Sequence, residues 1–298
     1  MTHRRPCTAC YGLPAAQLIA LAWLLCLPGV SINSAITSAI SSAVNLAVTA
    51  VSTTVSTAVS TALITPAQAQ PVAQPPQPVT LEVGRFSAER EGSALPTGWK
   101  PLTFRNIERH TRYSLVRESG SVVLRADAEA SASGLVLEQT IDLKTFPLIE
   151  WRWRTNGLLA KADVRSRGGD DYPVRLYITF AHDANSISLA DRAARALYGQ
   201  LPPRAAINYI WDTKAPTGTV VANAYTDRVR MIVVESGSER VGQWVGYQRN
   251  LAEDFRKAFG YDAPPVSGIA VMTDTDNTGE SVTAFFGDIR FRRQAATR

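Results

Sequence analysis

Side chains alternate across a β-strand, so a chain that repeatedly places apolar and polar residues in turn has few options beyond packed sheets. From Thr80 onward this sequence does so. LIEWRWRT sets Ile149, Trp151 and Trp153 on one face and Glu150, Arg152 and Arg154 on the other. PVRLYITF sets Val174, Leu176, Ile178 and Phe180 against Arg175, Tyr177 and Thr179. TLEVGRF, RYSLVRE, SVVLRAD, GLVLEQTIDL, AAINYIWD, RVRMIVVES, SGIAVMTD and SVTAFFGDIRFR are further runs of this kind, separated by Gly, Pro, Asn and Asp. Runs of this number and spacing predict an all-β fold, a two-layer antiparallel β-sandwich of jelly-roll or lectin-like type. Two stretches depart from the pattern: SLADRAARALYGQ (188–200) and NLAEDFRKAFG (250–260) are expected as short helical insertions beside the sandwich.

The N-terminal segment is of another kind. Between Pro6 and Leu81 there is no Asp, Glu, Lys or Arg. Arg4 and Arg5 precede the apolar run LPAAQLIALAWLLCLPGV, the pattern of a secretory signal. A second uncharged tract, with V-S-T units at Val51, Val55 and Val59, ends in Ala67-Gln68-Ala69. The small residues at Ala67 and Ala69 predict cleavage before Gln70, so residues 1–69 are expected as a leader. Retention of the first apolar run as an anchor is the alternative, although the run is shorter than the roughly 20 residues a spanning helix needs. Residues 70–79, QPVAQPPQPV, form a proline-rich linker, and 80–298 form the β-sandwich domain. The expected location is periplasmic or extracellular, with no transmembrane domain after processing.

All three cysteines, Cys7, Cys10 and Cys26, precede Gln70, so the processed chain would have no disulfide, no zinc-thiolate site and no cysteine nucleophile. The chain has 31 Lys and Arg against 26 Asp and Glu, two of the arginines being Arg4 and Arg5 in the leader. That near-balance gives no electrostatic case for a nucleic-acid partner.

The uniformly apolar face of LIEWRWRT assigns Trp151 and Trp153 to the core rather than to a sugar-stacking platform. The opposite faces of the two runs are expected to form one polar surface, with Arg152, Arg154, Arg175 and Tyr177 as ligand contacts and Asn208, Arg228 and Arg230 beside them. Guanidinium groups bind carboxylates and phosphates through a planar fork, so such a surface needs either protein carboxylates such as Glu150 or a bound anion.

Two acidic loops add candidates. In RGGDDYPVR, Asp170 and Asp171 lead into the arginine-bearing run, where they can pair with Arg175 or Arg167, contact a ligand or act in acid–base chemistry. In VMTDTDNTGE, Asp274, Asp276, Thr278 and Gly279 match the front half of a calcium loop, but Phe285 stands where an EF-hand needs a bidentate Glu. An EF-hand is excluded. What stays open is a calcium site using Asp274, Asp276 and Asn277, with Asp288 as a further ligand, or an Asx-type turn. Outside the leader the only histidines are His110 and His182, and no nucleophile elbow, Walker loop, dinucleotide fingerprint or H-E-x-x-H occurs. Tyr177, His182 and Arg175 are the residue types of a β-elimination site.

RHTRYSLV, SASGLVLEQTIDL, LIEWRWR, GDDYPVRLYITF, AINYIW, RVRMIVVESG, GIAVMTDTDNTGE and FGDIRF together resemble a bacterial exported family, domain of unknown function 3047, from about Phe86 to Arg292. GDDYPVR and TDTDNTGE are the most specific parts. The resemblance implies an exported β-sandwich and brings no reaction or catalytic residue with it. The expected function is an exported binding module for a saccharide or an anionic envelope ligand. The alternatives are a polysaccharide lyase or glycosidase on the same scaffold, or a structural envelope factor.

Overall fold

The computed structural model describes residues 80–182, 187, 191 and 203–294. The expected leader, the proline-rich segment and, apart from Asp191, the expected helix at 188–200 lie outside the described residues. Among the described residues, fourteen strands form two seven-stranded sheets. The first sheet contains β1 (Thr80–Gly84), β3 (Arg112–Glu118), β4 (Ser121–Glu129), β6 (Leu148–Thr155), β11 (Val245–Asn250), β13 (Ser281–Phe286) and β14 (Ile289–Arg292). The second contains β2 (Lys100–Leu102), β5 (Ala132–Ile141), β7 (Arg175–Phe180), β8 (Ala205–Asp212), β9 (Val220–Ala222), β10 (Val229–Ser236) and β12 (Val266–Asp274). This is the expected two-layer sandwich, with one departure. β8 and β10 pair in parallel, whereas the other paired strands are antiparallel.

The inner faces meet in one large core. Trp151 and Trp153 are 4% and 0% exposed within it, as the alternation requires, and they pack with Leu176, Ile178, Phe180 and Tyr209. Trp151 stacks between Tyr209 and Tyr247, with ring centres 4.9 and 5.1 Å away. The second helical stretch forms α1 (Leu251–Phe259). Its N-cap Asn250 accepts a hydrogen bond from Glu253 N, and Gly260 closes it in the left-handed conformation. Phe255 of α1 packs edge-on to Phe180.

The outer faces of the two sheets differ. On the first, Arg152 is exposed and Arg154 half-buried. The second sheet is covered on its outer side by a further apolar layer, in which Phe104, Val164, Tyr172 and Ala215 from connecting segments pack on Tyr177, Ile210, Met231 and Met272. All six residues of β7 are therefore buried. The single polar surface expected from alternation does not form, because Arg152 and Arg154 belong to one sheet and Arg175 and Tyr177 to the other.

Candidate functional site

The site lies where β7 begins and β12 ends. A 3-10 turn at Arg167–Gly169 delivers Asp170 and Asp171, and the chain then enters β7 at Arg175. β7 and β12 run antiparallel with Arg175 opposite Met272, which brings Asp274 alongside the 170–175 segment. Beyond Asp274, the Gly279 N–H closes a turn on Thr275 O at 2.9 Å, and Gly279 has φ 69°, the conformation glycine tolerates best. The loop thus folds back over Asp171.

Arg175, 0% exposed, is the hub. Its Nε donates to Asp274 Oδ1 at 2.7 Å, and its Nη2 donates to Asp274 Oδ2 and to the Asp170 carbonyl. Nη1 donates to Tyr177 Oη at 3.2 Å and stands 3.5 Å from Asp170 Oδ1. The Tyr172 ring covers the guanidinium face at 4.4 Å, and Tyr172 N–H donates to Asp274 Oδ1. Asp170 also accepts from Asn223 Nδ2 at 3.0 Å. Asp171 accepts from Asn277 Nδ2 at 3.0 Å and Thr278 N at 2.7 Å. Tyr225 Oη closes the network by donating to Asn277 Oδ1 at 3.1 Å.

Four carboxyl groups, Asp170, Asp171, Asp274 and Asp276, share this region with the Arg175 guanidinium. Burial works against the Arg175 charge, but Asp274 and Asp170 outweigh it and hold the group protonated. Burial raises Asp274 above the ordinary carboxylate range and Arg175 pulls it back; three N–H donors on its two oxygens favour the ionised pair. Burial pushes Asp170 up to about 6 against the pull of Arg175. Asp276 is likewise pushed up to about 6, first by burial and then by the charge of Asp171. Oxygens of Asp171, Asp274 and Asp276 lie within 4.8 Å of one another, an arrangement that can hold a metal ion. The all-oxygen donor set suits a hard cation.

Beside this cluster opens a cleft of about 250 Å³. Its lining includes Asp274, Asp276 and Asn277 together with Tyr225, Phe104, Ile107, Arg105 and Asn106. Of the sequence candidates, Asp170, Asp171, Arg175, Tyr177, Asp274, Asp276 and Asn277 meet in the cluster, and of these Asp274, Asp276 and Asn277 line the cleft. Arg152 and Arg154 do not. Asp288 is also elsewhere, accepting from Ser87 N at 2.8 Å. Asn277 and Asp274 bond across to Asp171 and the 170–175 segment, so the loop is more than a local Asx turn. Tyr177, with its hydroxyl on Arg175 and 1% exposure, has no opening through which to act in β-elimination with His182.

Sequence reasoning missed Asn223, Tyr225 and the Phe104–Ile107 wall. They come from connecting segments with no periodicity to reveal them. Tyr172 lies inside the GDDYPVR motif, where alternation carries no signal that its buried ring covers Arg175.

The sequence of residues 97–290 matches the family model described as "Protein of unknown function (DUF3047)". The chain belongs to that family. The resemblance carried by GDDYPVR and TDTDNTGE is borne out, and the matched region of this DUF3047 chain contains Asp170 through Asn277. No curated protein matches the chain. Among solved structures, the Emp47p carbohydrate recognition domain aligns with a TM-score of 0.38 and 15% identity, covering 73% of this chain and 96% of its own. The family 30 carbohydrate-binding module of the cellulosomal cellulase CEL9D-CEL44B of Clostridium thermocellum gives 0.34 and 12%, covering 72% and 98%. Trichoderma harzianum endoglucanase 3 from family GH12 gives 0.36 and 10%, covering 72% and 97%. Among the described residues of the DUF3047 chain, no helix is long and apolar enough to cross a membrane.

Proposed function

We propose that the protein is an exported saccharide-binding module, with the sugar held in the cleft and a calcium ion bridging it to the carboxylates. The observation that carries this reading is the approach of Asp171, Asp274 and Asp276 oxygens to within 4.8 Å beside an open cleft. Calcium takes about six to eight oxygen ligands in irregular shells. Asp171, Asp276 and the Asn277 carbonyl would supply some of them, Asp274 would add charge, and vicinal hydroxyls of a sugar would complete the shell. Phe104, Ile107 and Tyr225 offer apolar surface for the C–H face of a sugar ring, and Arg105 and Asn106 offer donors to its hydroxyls. The leader pattern supports export.

The test is calorimetric titration with calcium, then with neutral and acidic oligosaccharides in calcium and in chelator. The expected result is calcium binding, sugar binding that requires calcium, and loss of both in Asp276→Asn. Sugar binding indifferent to calcium and to Asp276→Asn would remove the bridge. Calcium binding without any sugar response would leave an ion of structural use only.

A polysaccharide-cleaving activity has one observation in its favour. Asp276, pushed up to about 6 at the cleft, retains a fraction of its proton near neutrality, the state a general acid needs. New reducing ends or unsaturated uronate absorbance, both absent in Asp276→Asn, would replace simple binding by this reading.

A further inference from the structure

The outer face of the first sheet carries a second constellation that the cleft does not use. Arg152 stands on β6 opposite Gly246 of β11, and its carbonyl accepts from Gly287 N–H at 2.9 Å, at the break between β13 and β14. Neither glycine has a positive φ, so neither relieves backbone strain. Their contribution is space. A Cβ at 287 would fall 2.5 Å from Arg152 Cγ and Nε, while a Cβ at 246 would meet nothing closer than 3.9 Å. The Arg152 side chain therefore lies across Gly287, with its guanidinium carbon 4.8 Å from the Trp244 ring centre. A glycine inside a strand weakens it and often marks a close approach by something else.

The nearby carboxylates are already engaged. Glu150 accepts from Arg290 at 2.7 Å and Arg292 at 2.8 Å, and Asp288 accepts from Ser87. Among the described residues Arg152 has no ion-pair partner, and it is exposed. It borders an open trough of about 470 Å³ that Gly246, Gln248, Arg290 and the two engaged carboxylates, Glu150 and Asp288, also line.

We propose that this trough binds the carboxylate of an acidic saccharide, with Arg152 as the specificity-determining contact. This inference rests on the saccharide reading above and adds a second place of contact. With one face of the guanidinium against Trp244, its N–H edge is left for two coplanar oxygens, the geometry a carboxylate supplies. The unsubstituted backbone at Gly246 lets a sugar ring lie against β11, where the Gln248 amide meets its hydroxyls.

The probe is tri-galacturonate against its methyl ester, titrated calorimetrically in chelator so that a calcium bridge at the cleft is silent. The acid is expected to bind at least tenfold more tightly than the ester. Arg152→Gln should weaken the acid at least tenfold without weakening the ester. Gly287→Val, checked for folding by circular dichroism, should do the same by displacing the Arg152 stem. Equal affinity for acid and ester, no binding of the acid, or an Arg152→Gln protein that matches the parent would overturn the inference. With calcium restored, binding of the acid that survives Arg152→Gln but is lost in Asp276→Asn would also overturn it, while leaving the cleft reading standing.

Discussion

Arg175 shows what alternation can and cannot say about a residue. Its parity was legible: it lies opposite Leu176, Ile178 and Phe180, as PVRLYITF requires. Its environment was not, because alternation says which side chains share a face and nothing about what covers that face. The Phe104, Val164 and Tyr172 layer comes from segments without periodicity, and it turns an expected surface cation into a buried one. A buried charge whose partner is removed is costly, about 3–5 kcal/mol. Arg175→Met is accordingly expected to lose about that much stability in urea unfolding, since it strands Asp274 and Asp170. Arg175→Met combined with Asp274→Asn should recover part of the loss, because the two residues act as one unit. A single-variant loss below about 1 kcal/mol would mean that the carboxyl groups already carry protons and that the pair is not ionic. Trp151 and Trp153 are the simpler case, in which one face of one run decided the outcome.

Elements were more legible than the site they carry. Asn250 and Gly260 bracket α1 where capping chemistry puts them, and the Asn250 side chain accepts from Glu253 N at 3.2 Å. Asn250→Ala should cost about 1 kcal/mol in thermal or urea unfolding, with Asn250→Asp retaining most of it. The parallel pairing of β8 and β10 was not legible. Parallel neighbours need a long crossover, usually helical, and here the connection carries β9, which pairs antiparallel with β10. A strand in that connection looks, in sequence, like one more step of a meander. Register imposes its own requirement at Gly134, opposite Met272, where an added Cβ would lie 2.7 Å from the Val271 carbonyl. Backbone cannot yield as a side-chain tip can. Gly134→Ala is expected to destabilise by about 1–3 kcal/mol, as overpacking does. An unchanged urea midpoint would show that β5 and β12 separate at no cost.

At the scale of the whole molecule, the region beyond Thr80 has no cysteine, so stability rests on the core between the sheets, the layer outside the second sheet, and the balance of charge at the acidic cluster. That balance makes stability depend on pH in a direction opposite to the usual acid denaturation. Asp170 has its pKa raised from 3.8 to about 6 by burial, and Asp276 also rises to about 6. A carboxyl whose folded pKa is raised binds its proton more tightly when folded. Its contribution is therefore full below the unfolded pKa and is lost as pH rises through the folded one. For Asp170, which is 2% exposed, the displacement corresponds to at most on the order of 3 kcal/mol. In chelator, the unfolding temperature should fall between about pH 4 and pH 7, and Asp276→Asn should flatten part of that slope. Calcium bound as proposed would compete with the proton at Asp276, although not at Asp170, and a ligand that binds only the folded state adds about 2.7 kcal/mol at a hundredfold excess over its dissociation constant. With millimolar calcium the loss above pH 6 should therefore be reversed in the parent chain and much less so in Asp276→Asn. Differential scanning calorimetry across this range separates the two compensating species. A profile that is flat in chelator would mean that the cluster needs neither proton nor cation, and a slope that calcium leaves untouched would mean that the proton alone fills the role.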